Sequence, residues 1–404
     1  MAEGGTPPRS RLRGIPRSIW ALGMVSMFMD ISSEMVHALL PIYLVTVLGT
    51  SALTVGFIEG LAEATANITK IFSGALSDWL GKRKLLVVVG YGLAAFTKPV
   101  FPLAQTVDWI VTARFIDRVG KGIRGAPRDA LIADIAPPEI RGASYGLRQS
   151  LDTVGAFAGP LAATGLLALA GVTFQLVFWV AVIPAFIALA LLIFGVREPE
   201  NQAPQKRVRL SLAGAGRLPW AFWAVLVVAS VLTLARFSEA FLILRSQAMG
   251  MPVSLIPLVL VAMNIVYALA AYPAGVIADR AGRFGVLIAG TAFLIAADVV
   301  LALGTSLWPI LVGVALWGLH MGFTQGLLST LIADAAPADL RGTAFGLFNF
   351  ALGVAMLVAS VVAGGLWDRY GPPATFLAGA GFTIMALAGF AVLAARRSTS
   401  TGTP

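Results

Sequence analysis

Three ionisable side chains in the first apolar stretch have a spacing that suits proton transfer or cation binding. Asp30, Glu34 and His37 lie at i, i+4 and i+7, which places them on one face of an α-helix. A carboxylate shielded from water binds a proton more tightly and releases it when a cation approaches. Carboxylate oxygens beside an imidazole can instead bind a divalent cation. The spacing therefore predicts a proton-exchanging face or, alternatively, a metal site at these three residues.

Two further apolar stretches carry charges at helical spacing. Glu59 and Glu63 share a face with Asn67 and Lys70. A longer series occupies an arc of about 120° at 100° per residue; it consists of Arg114, Asp117, Arg118, Lys121, Arg124 and Arg128. A charge at the bilayer centre costs about 2.5–3.5 kcal/mol on insertion scales. We therefore expect an acid–base cluster linking the first, second and fourth stretches, which either exchanges protons or only holds the helices in register.

The second half of the chain has fewer charges in its apolar stretches. Glu239 resembles Glu34 because each follows a serine, and Arg236 lies nearby. His320, close to Trp317, could relay a proton or simply pack through a hydrogen bond. We expect the coupling chemistry in the first half and a more apolar cargo-binding wall in the second.

The composition of the chain indicates that these residues lie on membrane-spanning helices. Of 404 residues, 58% are hydrophobic and 12% charged, whereas about 25% are charged in soluble domains. A spanning helix needs roughly 20 apolar residues, and twelve apolar stretches are present, at about 18–48, 54–78, 85–104, 107–134, 142–168, 171–195, 218–248, 252–278, 284–304, 307–334, 342–367 and 373–395. The chain is predicted to be an all-α membrane protein with twelve transmembrane helices.

Missing residue types and motifs exclude several functions. Cysteine is absent, which excludes disulfides, thiolate metal sites and cysteine nucleophiles, and only two histidines are present. No nucleophile–base set or cofactor motif is recognised, since the G-x-G at Gly120 and Gly122 lacks a strand–turn–helix context. We predict no enzyme activity, no cofactor and no resident metal. The net charge of +9 is assigned to membrane topology, not to nucleic-acid binding.

Basic residues are concentrated in alternate loops. They follow the second, fourth, eighth, tenth and last stretches, and the loops between carry almost none. Because cytoplasmic loops collect Lys and Arg, we expect both termini in the cytoplasm of a multi-pass protein of a bacterial inner membrane. The basic start is expected to precede a retained first helix, not a cleaved signal. A polar linker, 197–217, is predicted between the bundles 1–196 and 218–396, with a cytoplasmic tail at 397–404.

An internal repeat relates the two halves of the chain. The segment LIADIAPPEIRGASYGL beginning at Leu131 matches LIADAAPADLRGTAFGL beginning at Leu331, and GALSDWLGKRK at Gly74 recurs as GVIADRAGRFG at Gly275. Parallel repeats of six spans are related by an axis along the membrane normal. This arrangement predicts a cavity between two halves near the midplane and alternating access by rocking.

The repeated loops share a pattern of a Gly, an acid four residues later, then Gly and basic residues. The first copy comprises Gly74, Asp78, Gly81, Lys82, Arg83 and Lys84, and the second Gly275, Asp279, Arg280, Gly282 and Arg283. This pattern resembles the loop signature of the major facilitator superfamily of secondary transporters. Over nearly the whole chain the resemblance implies that superfamily's fold, with two pseudo-symmetric six-helix bundles. It also implies a cytoplasmic gate, in which Gly permits close helix approach and the acid latches the end of the next span.

The fifth stretch resembles a second feature of that superfamily. Gly155, Gly159 and Pro160 in VGAFAGPLAA match the G-x-x-x-G-P pattern typical of its antiporters. Small residues spaced by four let two helices touch, and Pro bends the helix. The pattern favours export by exchange, although any tight helix crossing could require the same residues.

The fourth stretch follows the superfamily only in part. Arg114 in its ARF context, with Asp134 twenty residues later, resembles the family's Arg-bearing helix. Asp117 and Arg118 stand where the family usually has Gln and Gly, so the standard role of that helix is not carried over.

Four functional hypotheses follow. The first is proton-coupled antiport that exports a drug-like compound or metabolite by alternating access. The second is proton-coupled uptake of an anionic solute attracted by the basic arc of the fourth stretch. The third is export of a divalent metal, and the fourth is a receptor that retains the transporter fold without transport. The expected partners are a small-molecule substrate, protons and the lipid bilayer, and we expect a monomer.

Overall fold

A computed structural model of the chain describes residues 14–80, 82–198, 212–337 and 340–400. Within these ranges the regular secondary structure is entirely helical. The long helices are α1 (Arg17–His37), α2 (Ala52–Leu80), α3 (Arg83–Thr97), α4 (Val107–Ile135), α5 (Arg141–Leu167), α6 (Phe174–Gly195), α7 (Trp220–Ala235), α8 (Pro257–Ala281), α9 (Arg283–Leu303), α10 (Leu307–Ala335), α11 (Arg341–Tyr370) and α12 (Pro372–Ser400). Shorter segments continue three of them, namely Leu40–Ile42 with the π-helix Tyr43–Val47 after α1, Val100–Leu103 after α3 and Ala240–Ala248 after α7.

The twelve helices coincide with the twelve predicted apolar stretches. Among the described residues, nine helical segments are long and apolar enough to cross a membrane. The other three, α2, α4 and α5, have 27 to 29 residues, which at 1.5 Å per residue gives about 40 Å, enough to span a bilayer. Two of them, α2 and α4, carry the two glutamates and the basic arc singled out in the sequence. The predicted all-α, twelve-helix membrane fold is confirmed.

The described residues form two compact units. The first contains the described parts of Met1–His37 and Thr69–Arg209, and the second those of Ala38–Ile68 and Leu210–Pro404. Residues 38–68 thus pack with the second unit although they precede most of the first in sequence. The predicted linker 197–217 lies mostly outside the described residues, and of the predicted tail 397–404 only the backbone of 397–400 is described.

The first unit is held together by α1 and α3. α1 packs against α5 and α6, and α3 packs against α4 and α6. Leu22, Val25 and Met29 of α1 join Val87 and Tyr91 of α3 in one buried apolar cluster. When such side chains move from water or lipid into a close-packed interior, the dispersion contacts that they make there hold the helices together.

In the second unit α9 and α10 pack on each other, α9 also packs on α12, and α8 packs on α10. The first half of α2 packs against α11 through small residues. A Cβ at Gly60 would lie 2.9 Å from Leu357 Cα, and one at Gly364 would lie 2.5 Å from the carbonyl oxygen of Ala52. Small residues at such crossings allow helix backbones to touch in a membrane.

The first helix of each half is interrupted at equivalent positions. Helix α1 ends at His37 and a short turn follows at residues 38–39, while the predicted single span 218–248 is broken at residues 236–239. The predicted seventh span, 218–248, is found at Trp220–Ala248, with this interruption inside it. Hydroxyl groups bind the backbone amides that the break exposes. Ser360 Oγ accepts from the Ser238 amide at 3.2 Å, and Ser238 Oγ accepts from the Ala240 amide at 3.2 Å.

Candidate functional site

The predicted polar face of α1 is present and half-buried. Glu34 Oε2 contacts His37 Nδ1 at 3.4 Å, one turn along the same helix. Lys121 and Arg118 of α4 act on Glu34 as nearby positive charges. Among the described residues no group of three His, Cys, Asp or Glu side chains is arranged to hold a metal ion. Glu34 is thus paired with a base on its own helix and faces the cations of α4.

Asp30 contacts a second acid that the sequence analysis overlooked. The carboxyl of Asp152 on α5 lies near that of Asp30, and Lys121 is a nearby positive charge. Two ionised carboxylates side by side repel each other, and a proton on one of them relieves that repulsion. Arg148 Nη2 lies 3.7 Å from Asp152 Oδ2, one turn before it on α5. The arrangement is a pair of neighbouring carboxyls with adjacent cations.

The glycines of the fifth stretch position these acids. A Cβ at Gly155 would lie 2.5 Å from the carbonyl oxygen of Met27 and 2.9 Å from Asp30 Cβ. A Cβ at Gly159 would lie 2.8 Å from Glu34 Cβ. Such distances are shorter than real Cβ contacts, so α5 can approach α1 only with glycine at both positions. Pro160 follows, buried inside α5.

The one carboxylate of the basic arc of α4, Asp117, is paired with a lysine that was not predicted. Lys98, just after α3, places Nζ 3.0 Å from Asp117 Oδ1 and donates to Ser33 Oγ at 3.1 Å. Arg118 Nε lies 3.8 Å from the other oxygen of Asp117. Lys98, Asp117, Arg118 and Arg114 are all buried. This network connects α1, the end of α3 and α4.

The remaining cations of α4 have different surroundings. Arg124 is buried with its guanidinium 4.5 Å from the centre of the Tyr91 ring, a cation–π contact. Arg128 donates to Ser26 Oγ at 3.2 Å and to the Tyr91 hydroxyl at 3.4 Å. Lys121, in contrast, is exposed in the described residues.

Glu59 and Glu63 lie on the part of α2 that belongs to the second unit. Glu59 is buried and Glu63 is half-buried. Within the first unit, the predicted cluster consists of residues from α1 and α4, to which the structure adds Lys98 and α5.

The predicted residues of the second unit have mixed settings. His320 is fully buried and its Nδ1 donates to the carbonyl oxygen of Gly290 on α9 at 2.8 Å. Trp317 is buried beside Phe237, with ring centres 5.4 Å apart. Arg236 and Glu239 flank the break after α7 and are half-buried. His320 therefore makes the hydrogen bond of a packing histidine.

The break also changes how the halves compare. The 200-residue register of the repeat places Glu239 opposite Leu39 and not opposite Glu34. Both Glu239 and Leu39 lie at the interruptions of their helices. The likeness of Glu239 to Glu34 was wrong, because it rested on a neighbouring serine.

The first copy of the loop signature forms an ion pair that the sequence did not specify. Arg83 Nη1 lies 2.8 Å from Asp134 Oδ2 at the end of α4. The Cβ position of Gly74 is in ordinary contact with Ala126 of α4, at 3.5 Å. The side chain of Asp78 and the whole of Gly81 lie outside the described residues.

The second copy repeats this pair. Arg283 forms an ion pair with Asp334 at the end of α10, and each partner stands 200 residues after its counterpart. Gly282 has φ +94° between α8 and α9, a conformation that favours glycine. Asp279 is exposed, and within the described residues no neighbouring atom lies within 4 Å of a Cβ built at Gly275.

Residues that the sequence analysis missed share one available signal. Lys98, Asp152 and Asp298 are ionisable residues inside predicted spans, where any charge is costly and therefore informative. Lys98 and Asp298 were overlooked because each stands alone in its stretch, and Asp152 because only Arg148 accompanies it, one turn earlier.

The fold and the loop pairs can now be compared with known proteins. The sequence matches the family model described as Major Facilitator Superfamily over residues 22–360 and 234–403. The chain belongs to the major facilitator superfamily. It is accordingly a multi-pass membrane transporter acting on a small-molecule substrate, and not an enzyme.

Relatives of this superfamily member span most of its length. An uncharacterized MFS-type transporter of Methanocaldococcus jannaschii is 31% identical over 379 residues, covering 92% of this chain and 94% of the relative. The class C tetracycline resistance protein of Escherichia coli is 28% identical over 288 residues, 67% of this chain and 70% of the relative. The crystal structure of the nucleoside transporter NupG has a TM-score of 0.74 at 16% identity, with 94% of this chain and 99% of that chain covered. This last likeness shows the shared fold.

Proposed function

We propose that this superfamily member is a proton-coupled antiporter that exports a small organic molecule by alternating access. The observation that carries the proposal is the pair of neighbouring carboxyls formed by Asp30 and Asp152, with Lys121 and Arg148 beside it. A proton on one of these carboxyls can be released when a positive charge moves closer, and regained when the carboxyls face water again. The pair therefore supplies a group that can load and unload one proton per cycle.

The glycine contact gives the pair a mechanical connection. Since Gly155 and Gly159 lie against α1 beside the Cβ atoms of Asp30 and Glu34, a small shift between α1 and α5 changes the distance between the carboxyls of Asp30 and Asp152. Proton release is then linked to helix movement. The G-x-x-x-G-P pattern, typical of antiporters, lies at this contact.

A relative supports the export direction. The class C tetracycline resistance protein matches two thirds of this chain, and resistance by transport requires the drug to leave the cell. We extend this to a drug-like compound or metabolite as cargo. We further propose a monomer in a bacterial inner membrane, with both termini in the cytoplasm, in accordance with the distribution of basic loops.

The proposal is tested with purified protein in sealed vesicles. A thermal-shift screen of antibiotics including tetracycline, sugar phosphates and divalent metals first identifies a ligand, because binding stabilises the folded state. That ligand is then added to vesicles with an imposed proton gradient and an internal pH dye. Antiport predicts proton movement opposite to the ligand. Asp30→Asn and Asp152→Asn should each abolish it, while the exposed Asp108→Asn serves as the control.

Two results would overturn this function. Proton flux that accompanies the ligand in the same direction would reject antiport. Unchanged coupled flux in both Asp30→Asn and Asp152→Asn would reject the carboxyl pair as the coupling group.

A second candidate is proton-coupled transport of an anionic solute. Between Arg114 and Arg128, α4 carries five cations and one carboxylate, and Lys98 already neutralises that carboxylate, Asp117. The surplus of positive charge would attract an anion. In the same vesicles, symport of an organic anion would carry protons with the ligand, which distinguishes the two candidates by the sign of the dye signal.

A further inference from the structure

Asp298 is a buried carboxyl in the second unit that the transport scheme does not use. It lies in α9 with no exposed surface. Neither of its oxygens has a hydrogen-bond partner among the described residues. Buried polar groups in native proteins almost always have a partner, and an exception calls for an explanation.

The carboxyl faces an apolar neighbour. A Cβ built at Gly379 of α12 would lie 2.8 Å from Asp298 Oδ2 and 3.1 Å from Cε1 of Phe237. Phe237 packs in turn on Trp317 and Phe376, with ring centres 5.4 Å and 5.5 Å away. Glycine at 379 leaves just enough space for the carboxyl beside this aromatic cluster.

The charged groups on the surrounding helices are engaged elsewhere. From α10, His320 binds the Gly290 carbonyl two turns before Asp298, and Asp334 pairs with Arg283 at the far end of α9. Arg245 donates to the carbonyls of Leu301 and Gly304, which follow Asp298 at the C-terminal end of α9.

The other two packing helices also bring no cation to Asp298. Along Pro372–Ala395, α12 has no ionisable side chain. On α8, Asp279, Arg280 and Tyr272 are exposed, and Tyr267 lies near Arg236.

The repeat shows what has changed at this position. Asp298 stands 200 residues after Lys98, and Trp317 stands 200 residues after Asp117, the partner of Lys98. The first unit thus has a buried ion pair at the two positions where the second has an acid and a tryptophan. An isolated ionised carboxylate in apolar surroundings is far costlier than the neutral acid.

We propose that Asp298 is a proton-binding site of the second unit, occupied by a proton in the conformation described and distinct from the Asp30–Asp152 pair. The neutral carboxyl fills the space between α9 and α12 without a counter-ion. Release of the proton requires water or a cation to reach it, and hence a separation of these helices. The inference does not depend on the direction or cargo of transport.

Infrared spectroscopy of the purified full chain in lipid nanodiscs at neutral pH tests this state. The wild type should show a carboxylic-acid C=O band that is lost in Asp298→Asn and retained in Asp30→Asn. A spectrum in which Asp298→Asn loses carboxylate intensity instead would overturn the proposal.

Thermal unfolding across a pH series is the second measurement. Because unfolding lets Asp298 ionise, the wild type should lose stability with rising pH relative to Asp298→Asn and to Asp298→Leu, whose side chain has the shape of the neutral acid. Asp368→Asn is the matched control. Its carboxylate accepts from the amides of Ala52 and Leu53 at 2.9 Å and 2.8 Å, so that group, unlike Asp298, has hydrogen-bond partners.

Every outcome of the unfolding series bears on Asp298. If both Asp298 variants fail to fold, the side chain is required as a charge and the proposal is rejected. If they fold but keep the wild-type dependence on pH, it is rejected as well. Loss of ligand-coupled proton flux without these changes would concern only the proposed antiport.

Discussion

Lys98 and Asp117 form a buried ion pair, with Nζ 3.0 Å from Oδ1 and side chains that are 1% and 5% exposed. The pair holds the end of α3 against α4 at the centre of the charged network. Removing one partner leaves the other buried without its counter-ion, which costs about 3–5 kcal/mol in folded proteins.

Lys98→Met should therefore lower the thermal unfolding temperature strongly, and Lys98→Met combined with Asp117→Leu should recover part of the loss. The measurement is unfolding of purified protein in detergent, monitored by tryptophan fluorescence. Lys70→Met is the control, since Lys70 is exposed and its loss should have little effect. Equal losses in the two lysine variants would contradict the assignment.

Alanine in place of Gly155 or Gly159 should separate α1 from α5. The added Cβ would meet the carbonyl oxygens of Met27 and Ile31 at 2.5 Å and 2.7 Å, and overpacking of this kind costs about 1–3 kcal/mol. Both thermal stability and proton-coupled flux are expected to fall.

Gly146 and Gly165 provide the matched controls on the same helix. Within the described residues no atom lies within 4 Å of a Cβ built at either position. Alanine has a helix propensity about 1 kcal/mol better than glycine, so these variants should be neutral or stabilised. A loss equal to that of Gly155→Ala would mean that the contact with α1 is not the cause.

The two equivalent ion pairs should differ in strength. Arg83 and Asp134 are 5% and 16% exposed, whereas Arg283 and Asp334 are 33% and 43% exposed. Arg83→Ala should cost several-fold more than Arg283→Ala, since exposed pairs contribute about 0–1 kcal/mol. Unfolding at low and high salt measures this, and only the Arg283–Asp334 pair should weaken markedly with salt. The reverse order would show that burial does not set their strength.

His320 should affect stability without changing the pH dependence of transport. Its Nδ1 hydrogen bond to Gly290 and its complete burial describe a packing role. His320→Asn should lower the unfolding temperature because a cavity remains. The rate of proton-coupled flux per folded molecule should keep its wild-type pH profile. A displaced profile would instead indicate a proton relay at this position.

The sequence by itself determined the number and approximate bounds of the helices, the duplication, and the faces on which charges lie. These properties are local, because hydrophobic length and a period of 3.6 residues fix a helix and its faces before any helix packs. The contact that Gly155 and Gly159 make was also predictable as a close helix crossing, but not that α1 is the partner.

Only the tertiary structure decided which charges meet. The pairing of Asp30 with Asp152, and of Lys98 with Asp117, depends on which faces of separate helices come together, and a helical period carries no information about the neighbour. The break at residues 236–239 was likewise hidden, because hydroxyl groups distant in sequence, such as that of Ser360, bind the exposed amides. The lack of a hydrogen-bond partner at Asp298 has the same origin, since it depends on what each of the helices packed around the carboxyl places beside it.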